Sequence, residues 1–210
     1  MKIELEQVSP HEIEKRSFEI ITEELNGRTF PEDQELVVKR CIHTSADFDY
    51  ADNLCFSEHA VAKGIEAIRE GACIVTDTQM ARSGINKKVL ARHGGEALCF
   101  MSDEDVAARA KETGSTRAEK AAELDKKLII AVGNAPTALV RLYELIGEGK
   151  IKPALIIGVP VGFVNVVQSK ELIMQTNIPY IVARGRKGGS NIAACICNAL
   201  LYMMDQDRGY

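Results

Sequence analysis

Leu128-Ile129-Ile130-Ala131-Val132-Gly133-Asn134-Ala135-Pro136-Thr137 is the stretch that decides the fold. Its five apolar residues are too few for a helix of their own, and they run into a glycine, a capping asparagine and a first-turn proline. Such a run reads as a strand buried on both faces that leads straight into a helix. The same pattern recurs at Ala72-Cys73-Ile74-Val75-Thr76, Ala97-Leu98-Cys99-Phe100-Met101, Ala154-Leu155-Ile156-Ile157-Gly158 and Tyr180-Ile181-Val182-Ala183. Five short apolar runs alternating with amphipathic segments predict an α/β protein with a doubly wound, parallel five-stranded sheet.

Upstream the period changes to that of helices. Ser9-Pro10-His11-Glu12 and Thr29-Phe30-Pro31-Glu32 are written as helix starts, and a third helix begins near Ser57-Glu58 and stops at Gly71. These additional N-terminal helices are expected to pack around the sheet. The stretch from Asp105 to Lys127 reads as two solvated helical pieces broken at Gly114. The final helix, Asn191 to Met204, is apolar nearly all round, which predicts burial against the N-terminal helices or against a second subunit.

With 210 residues and 46% hydrophobic content, the chain reads as a single domain spanning residues 1–210. A formal charge of −4 gives no general attraction to nucleic acid or to an anionic membrane, so an anionic ligand needs a local cluster of cations. Met1 to Glu6 alternates in charge and lacks the apolar core of a signal peptide, which points to the cytoplasm. The longest apolar run, Pro153 to Val167, is interrupted by Gly158, Pro160 and Gly162 and is too short to span a bilayer. Six cysteines without CxxC spacing read as reduced thiols, and no metal ligand set is expected.

In sheets of this kind ligands bind beyond the carboxyl ends of the strands, where each turn opens a helix N-terminus that favours anions. Asn134 and Ser190 suit helix caps, and the glycines suit tight turns. Arg186 and Lys187 do not fit that account, because two cations at a helix start oppose its dipole. Arg117, in the first turn announced by Thr116-Arg117-Ala118-Glu119, has the same anomaly. His43 ends the stripe Leu36, Val37, Val38, Cys41, Ile42 and opens onto an acidic, hydroxyl-rich loop. An imidazole there caps a helix, yet it is also the side chain best able to donate a proton near neutral pH. His59 reads as a surface residue. No GxGxxG, Walker-type loop, GxSxG elbow or HExxH is present, so a nucleotide-binding α/β enzyme rests on fold logic alone.

Taken together, Lys15-Arg16-Ser17-Phe18, Ile42-His43 with Asp47-Phe48, Thr76-Asp77-Thr78-Gln79-Met80, Gly114-Ser115-Thr116-Arg117, Gly133 to Leu139, Gly158 to Phe163, Ser169-Lys170 and Gly185 to Ser190 closely resemble the precorrin-8X (cobalt-precorrin-8) methylmutases of cobalamin biosynthesis. The resemblance covers nearly the whole chain. Asn165 and Gln168 depart from it, standing where smaller and acidic residues are expected. It implies a flavodoxin-like fold, a homodimer, and an isomerase that needs no cofactor. The implied reaction shifts a methyl group between adjacent ring C carbons of a polycarboxylate corrinoid, giving hydrogenobyrinate or cobyrinate. It implies His43 as the general acid. Arg16, Arg117, Arg186 and Lys187 would hold the substrate's carboxylates, with Ser17, Thr76, Thr137 and Ser190 as neutral donors. Met80, Val161 and Phe163 would either cover the macrocycle or pack in the core. A corrinoid carrier that binds its product without fast turnover is the alternative; the presence of His43 favours the enzyme.

Overall fold

The computed structural model describes residues 8–9, 12–99 and 126–204. The sheet has six strands: β1 (Leu54–Phe56), β2 (Cys73–Thr76), β3 (Glu96–Cys99), β4 (Leu128–Val132), β5 (Leu155–Gly158) and β6 (Tyr180–Ala183), in the order β1-β6-β5-β4-β2-β3. All five expected strands are present and mutually parallel. The expectation of a purely parallel five-stranded sheet is corrected by β1, which pairs antiparallel with β6 in the register Leu54↔Ala183, Cys55↔Val182, Phe56↔Ile181. Three residues are too few to display a strand period, so this edge had no sequence signal. Main-chain bonds from Ser57 N to Tyr180 O (3.0 Å) and Arg184 N to Asn53 O (2.7 Å) fasten it at both ends.

Along each central strand the side chains alternate between two separate cores, as the pleat dictates. Ile74, Ile129, Ala131, Leu155, Ile157 and Ile181 face one core. Val75, Ile130, Val132, Ile156 and Val182 face the other, with Leu139, Leu142 and Leu145 of α7 (Pro136–Gly147) and Ile173 of α8 (Val166–Met174) against them. Apolar residues on successive positions are therefore required, which is why these strands read as continuous runs.

The first core is roofed by α1 (Ile13–Glu24), α2 (Glu32–Ser45), α4 (Ala60–Arg69) and α9 (Ser190–Tyr202), with the short α3 (Tyr50–Asn53), α5 (Gln79–Gly84) and α6 (Lys87–Arg92) filling in. Helix α9 packs on α2, α5 and α4 of its own chain, burying Ile192, Ile196, Leu200 and Leu201 among others. The apolar excess of this helix is thus covered internally, and it supplies no reason for a second subunit. Residues 105–125, including most of the stretch read as two helical pieces, lie outside the described residues. Among the described residues no helix is long and apolar enough to cross a membrane.

Candidate active site

Four turns meet at the carboxyl edge of the parallel strands, after β2, β4, β5 and β6. The turn after β2 is fastened by its own polar groups. Thr76 is buried, and its hydroxyl lies 3.0 Å from Thr78 O and 3.1 Å from Leu98 O. The donor expected to reach a ligand is instead engaged with the main chain, because the side chain ends a strand buried on both faces. Thr78 caps α5 by accepting from Ala81 N (3.1 Å), and its hydroxyl lies 2.7 Å from that of Ser190, linking this turn to the start of α9.

Asp77 binds across the edge. Its Oδ1 accepts from Gly133 N (2.9 Å), and its Oδ2 from Asn134 N and Ala135 N (2.8 Å each). The donors at the start of α7 therefore already hold a carboxylate of the protein, and the anion site expected there is filled. Thr137, on the first turn of α7, is exposed and lines a cleft with Arg141, Asn165 and Gln168 between α7 and α8. Asn165 has a left-handed backbone at φ 60°. Asparagine is among the few non-glycine residues that tolerate this conformation, so it is accommodated where a smaller residue is expected.

The turn after β6 is built differently. Lys170 of α8 is fully buried, and its Nζ donates to Gly185 O and Lys187 O at 2.8 Å each. Arg186 O accepts from Gly162 N (3.1 Å), and Gly189 N donates to Val159 O (2.8 Å). At Gly188 the backbone has φ 153° and passes so close to Val159 that a Cβ would sit 2.1 Å from its carbonyl oxygen. Only glycine fits.

Arg186 and Lys187 project from this pinned turn. The guanidinium of Arg186 lies 5.4 Å from the ring centroid of Phe163. Lys187 Nζ donates to Asp47 Oδ2 and Asp49 Oδ2, 2.6 Å each, which ties the turn to the loop that follows His43. Lys187 holds the Asp47 carboxyl below its ordinary range, and the two aspartates raise the lysine above its own.

His43 stands exposed in the last turn of α2, which ends at Ala46 in a left-handed conformation. Its ring lies 5.6 Å from that of Phe18 on α1, at 36°. Behind it the helix is held firmly: the buried Arg40 reaches Glu14 (3.1 Å) and lies over the Tyr202 ring (4.5 Å), while Thr44 Oγ1 donates to Cys195 Sγ (3.1 Å). The imidazole is thus presented to solvent by a rigid helix end. Arg16 and Ser17 flank Phe18 on α1; Arg16 pairs with Glu19 (3.5 Å) and Ser17 donates to Ile13 O (2.8 Å). Arg117 lies outside the described residues.

His43, Lys187, Arg186 and Ser190 are brought to connected segments of one edge, with Arg16 and Ser17 on the helix beside His43. Met80 (69% exposed), Val161 (50%) and Phe163 (81%) are not core residues, so the packing reading of these side chains is overturned. Asp77 and Lys170 were missed as site-building residues. Lys170 left a signal: it occupies a core position in the helical stripe Val166, Ser169, Lys170, Ile173. Among the described residues no group of three or more His, Cys, Asp or Glu side chains is placed to hold a metal ion.

Residues 12–203 match the family model for precorrin-8X methylmutase. The chain is 44% identical over 207 residues to the cobalt-precorrin-8 methylmutase of Priestia megaterium, covering 97% of this chain and 92% of that protein. It is 46% identical over 209 residues to the one from Leptospira interrogans, covering 94% of each. A crystal structure of the Thermus thermophilus precorrin-8X methylmutase superposes with a TM-score of 0.85 at 38% identity, covering 93% of this chain and 98% of that one.

Proposed function

The chain belongs to the precorrin-8X methylmutase family and is an isomerase of cobalamin biosynthesis, and from that premise we propose how its own residues divide the work. The substrate is a corrinoid polycarboxylate, precorrin-8X or cobalt-precorrin-8, the two substrates for which the relatives are named. A methyl group migrates between adjacent ring C carbons, formally a 1,5-sigmatropic shift. The atoms balance within one molecule, so the step calls for neither a methyl donor nor an electron carrier.

His43 is the general acid. Donating a proton or hydrogen bond to a ring nitrogen draws the conjugated electrons toward it and lowers the barrier to migration. The observation that carries this assignment is position: an exposed imidazole on a braced helix end, in a segment joined through Asp47 to the turn that bears two cations. Arg186 and Lys187, with Arg16 and Arg117, bind the acetate and propionate groups, Thr137 and Ser190 add hydroxyl donors, and Ser17 joins them by giving up its bond to Ile13 O. Lys187 exchanges an aspartate for a substrate carboxylate as it does so. Met80, Val161 and Phe163 offer apolar area to the macrocycle faces.

His43→Ala is expected to lower turnover by a factor of about 10² to 10⁴ while leaving thermal stability and product binding nearly unchanged. Near-parental turnover by the folded variant would remove the assignment. Following the visible spectrum with metal-free and cobalt-containing substrate identifies which one the enzyme prefers.

We read the five parallel strands, in the order β3-β2-β4-β5-β6, as the flavodoxin-like arrangement. The protein is proposed to act as a homodimer in the cytoplasm. The exposed Phe163 and Val164 favour a subunit contact at the substrate edge, and six free cysteines suit a reducing compartment. Sedimentation at low micromolar concentration should give twice the chain mass; a fully active single-chain species would refute the dimer.

A further inference from the structure

The buried face of α8 is Val166, Ser169, Lys170 and Ile173, a helical stripe in which one position is a lysine with no solvent exposure. Among the described residues its ammonium has no carboxylate partner; it donates to the carbonyls of Gly185 and Lys187. Burying a cation without a counter-ion is costly, and burial pulls this lysine down to about 8. A methionine would complete the stripe without that cost, but it would leave both carbonyls without a donor.

With Arg186 O held by Gly162 N, the two bonds from Lys170 leave three successive carbonyls of the turn satisfied. Their common engagement fixes the backbone between Gly185 and Gly188, and with it the directions in which the side chains of residues 186 and 187 leave the chain. The charge also stays beneath the turn in a low-dielectric setting, where it adds to the potential felt by an approaching carboxylate.

We infer that Lys170 is a positioning residue for substrate recognition, holding the turn Gly185–Lys187 in the shape that presents Arg186 and Lys187 to the substrate's carboxylates. This rests on the proposed role of those two cations. Lys170 touches the substrate through neither its stem nor its ammonium; it acts through the turn.

The test compares Lys170→Met and Arg186→Ala with the parent by absorbance titration with hydrogenobyrinate and by steady-state turnover. Lys170→Met is expected to raise the product Kd and the substrate KM about tenfold, with the loss falling on KM rather than kcat, and to flatten the dependence of Kd on salt. A folded Lys170→Met with parental Kd and KM overturns the inference, and so does a loss confined to kcat. If Arg186→Ala is weakened in the same experiment, the carboxylate clamp stands while the role of Lys170 falls; if neither is weakened, both fall. Should Lys170→Met not fold, Lys170→Gln, which keeps an amide N–H donor group on a shorter stem and loses the charge, takes its place. An intermediate Kd supports the inference, and a parental one overturns it.

Discussion

The turn after β4 and the turn after β6 touch: a Cβ on Gly133 would lie 2.7 Å from Ser190 Cα. Both are glycine-bearing and both lead from a buried strand into a helix, yet their electrostatics are opposite. The first is closed by an anion of the protein itself, the Asp77 carboxylate, on three main-chain donors. The second has a cation beneath it on main-chain acceptors and two more cations above. A helix N-terminus is therefore an anion site only where the fold has not already supplied the anion. At this edge the donors at the start of α7 are taken by Asp77 and Lys187 is held by Asp47 and Asp49, so on the proposed function a polycarboxylate meets Arg186 directly and Lys187 by displacing an aspartate.

The strongest way to break that contrast is to remove the carboxylate from the closed turn. Asp77→Ala leaves three main-chain donors without their acceptor and should lower stability by about 2–3 kcal/mol, a fall in Tm of about 4–10 °C. Thermal unfolding followed by circular dichroism decides it, and a parental Tm would show that the turn does not depend on Asp77. A smaller effect is expected at Thr76→Val, which keeps the shape of a buried side chain and loses a hydroxyl bonded to the main chain. Stability should fall by about 1 kcal/mol with product affinity unchanged. The reverse result, weakened affinity at parental stability, would return Thr76 to the list of ligand contacts.

The smallest effect tests the link between the open turn and the His43 loop. Asp47 has its pKa depressed by Lys187, so its contribution to stability is present above the unfolded carboxylate value, about pH 4, and is lost as pH falls through the folded value. Asp47→Asn should lower Tm by only about one degree between pH 5 and 8, less in high salt, and the gap should close on acidification toward pH 2. Lys187, with a raised pKa, behaves inversely: its contribution is present below about pH 10 and is lost above it. A gap that widened in acid would contradict the ion pair.

What could be read in the sequence follows from the range of the interactions. β2, β4, β5 and β6 were legible because burial on both faces writes itself as an unbroken apolar run, and β1 was not because Leu54–Phe56 is too short to carry a period. His43 and the cations at 186 and 187 stood out because each conflicts with its local setting. The partners that define their surroundings lie far along the chain, Asp77 from Gly133 and Lys187 from Asp47, and no local pattern encodes such pairings. Lys170 was visible in principle, since a lysine at a core position of an amphipathic helix is itself an anomaly. Helix α9 invited a second subunit only because the packing of α2, α4 and α5 against it is invisible until the chain is folded.

The backbone contacts at Gly133 and Gly188 set the terms for anyone wishing to redesign the enzyme for a corrinoid with a different periphery. A library that randomises either position would consist mostly of misfolded clones, because any side chain there collides with Ser190 or with the carbonyl of Val159. Phe163 and Val164 are 81% and 77% exposed on the neighbouring turn, and the contact that a change at 163 would lose is the Arg186 guanidinium 5.4 Å from the ring. Diversity placed there, with the two glycines held constant, would vary the apolar contacts proposed for the macrocycle and for a second subunit while leaving the backbone of the edge intact.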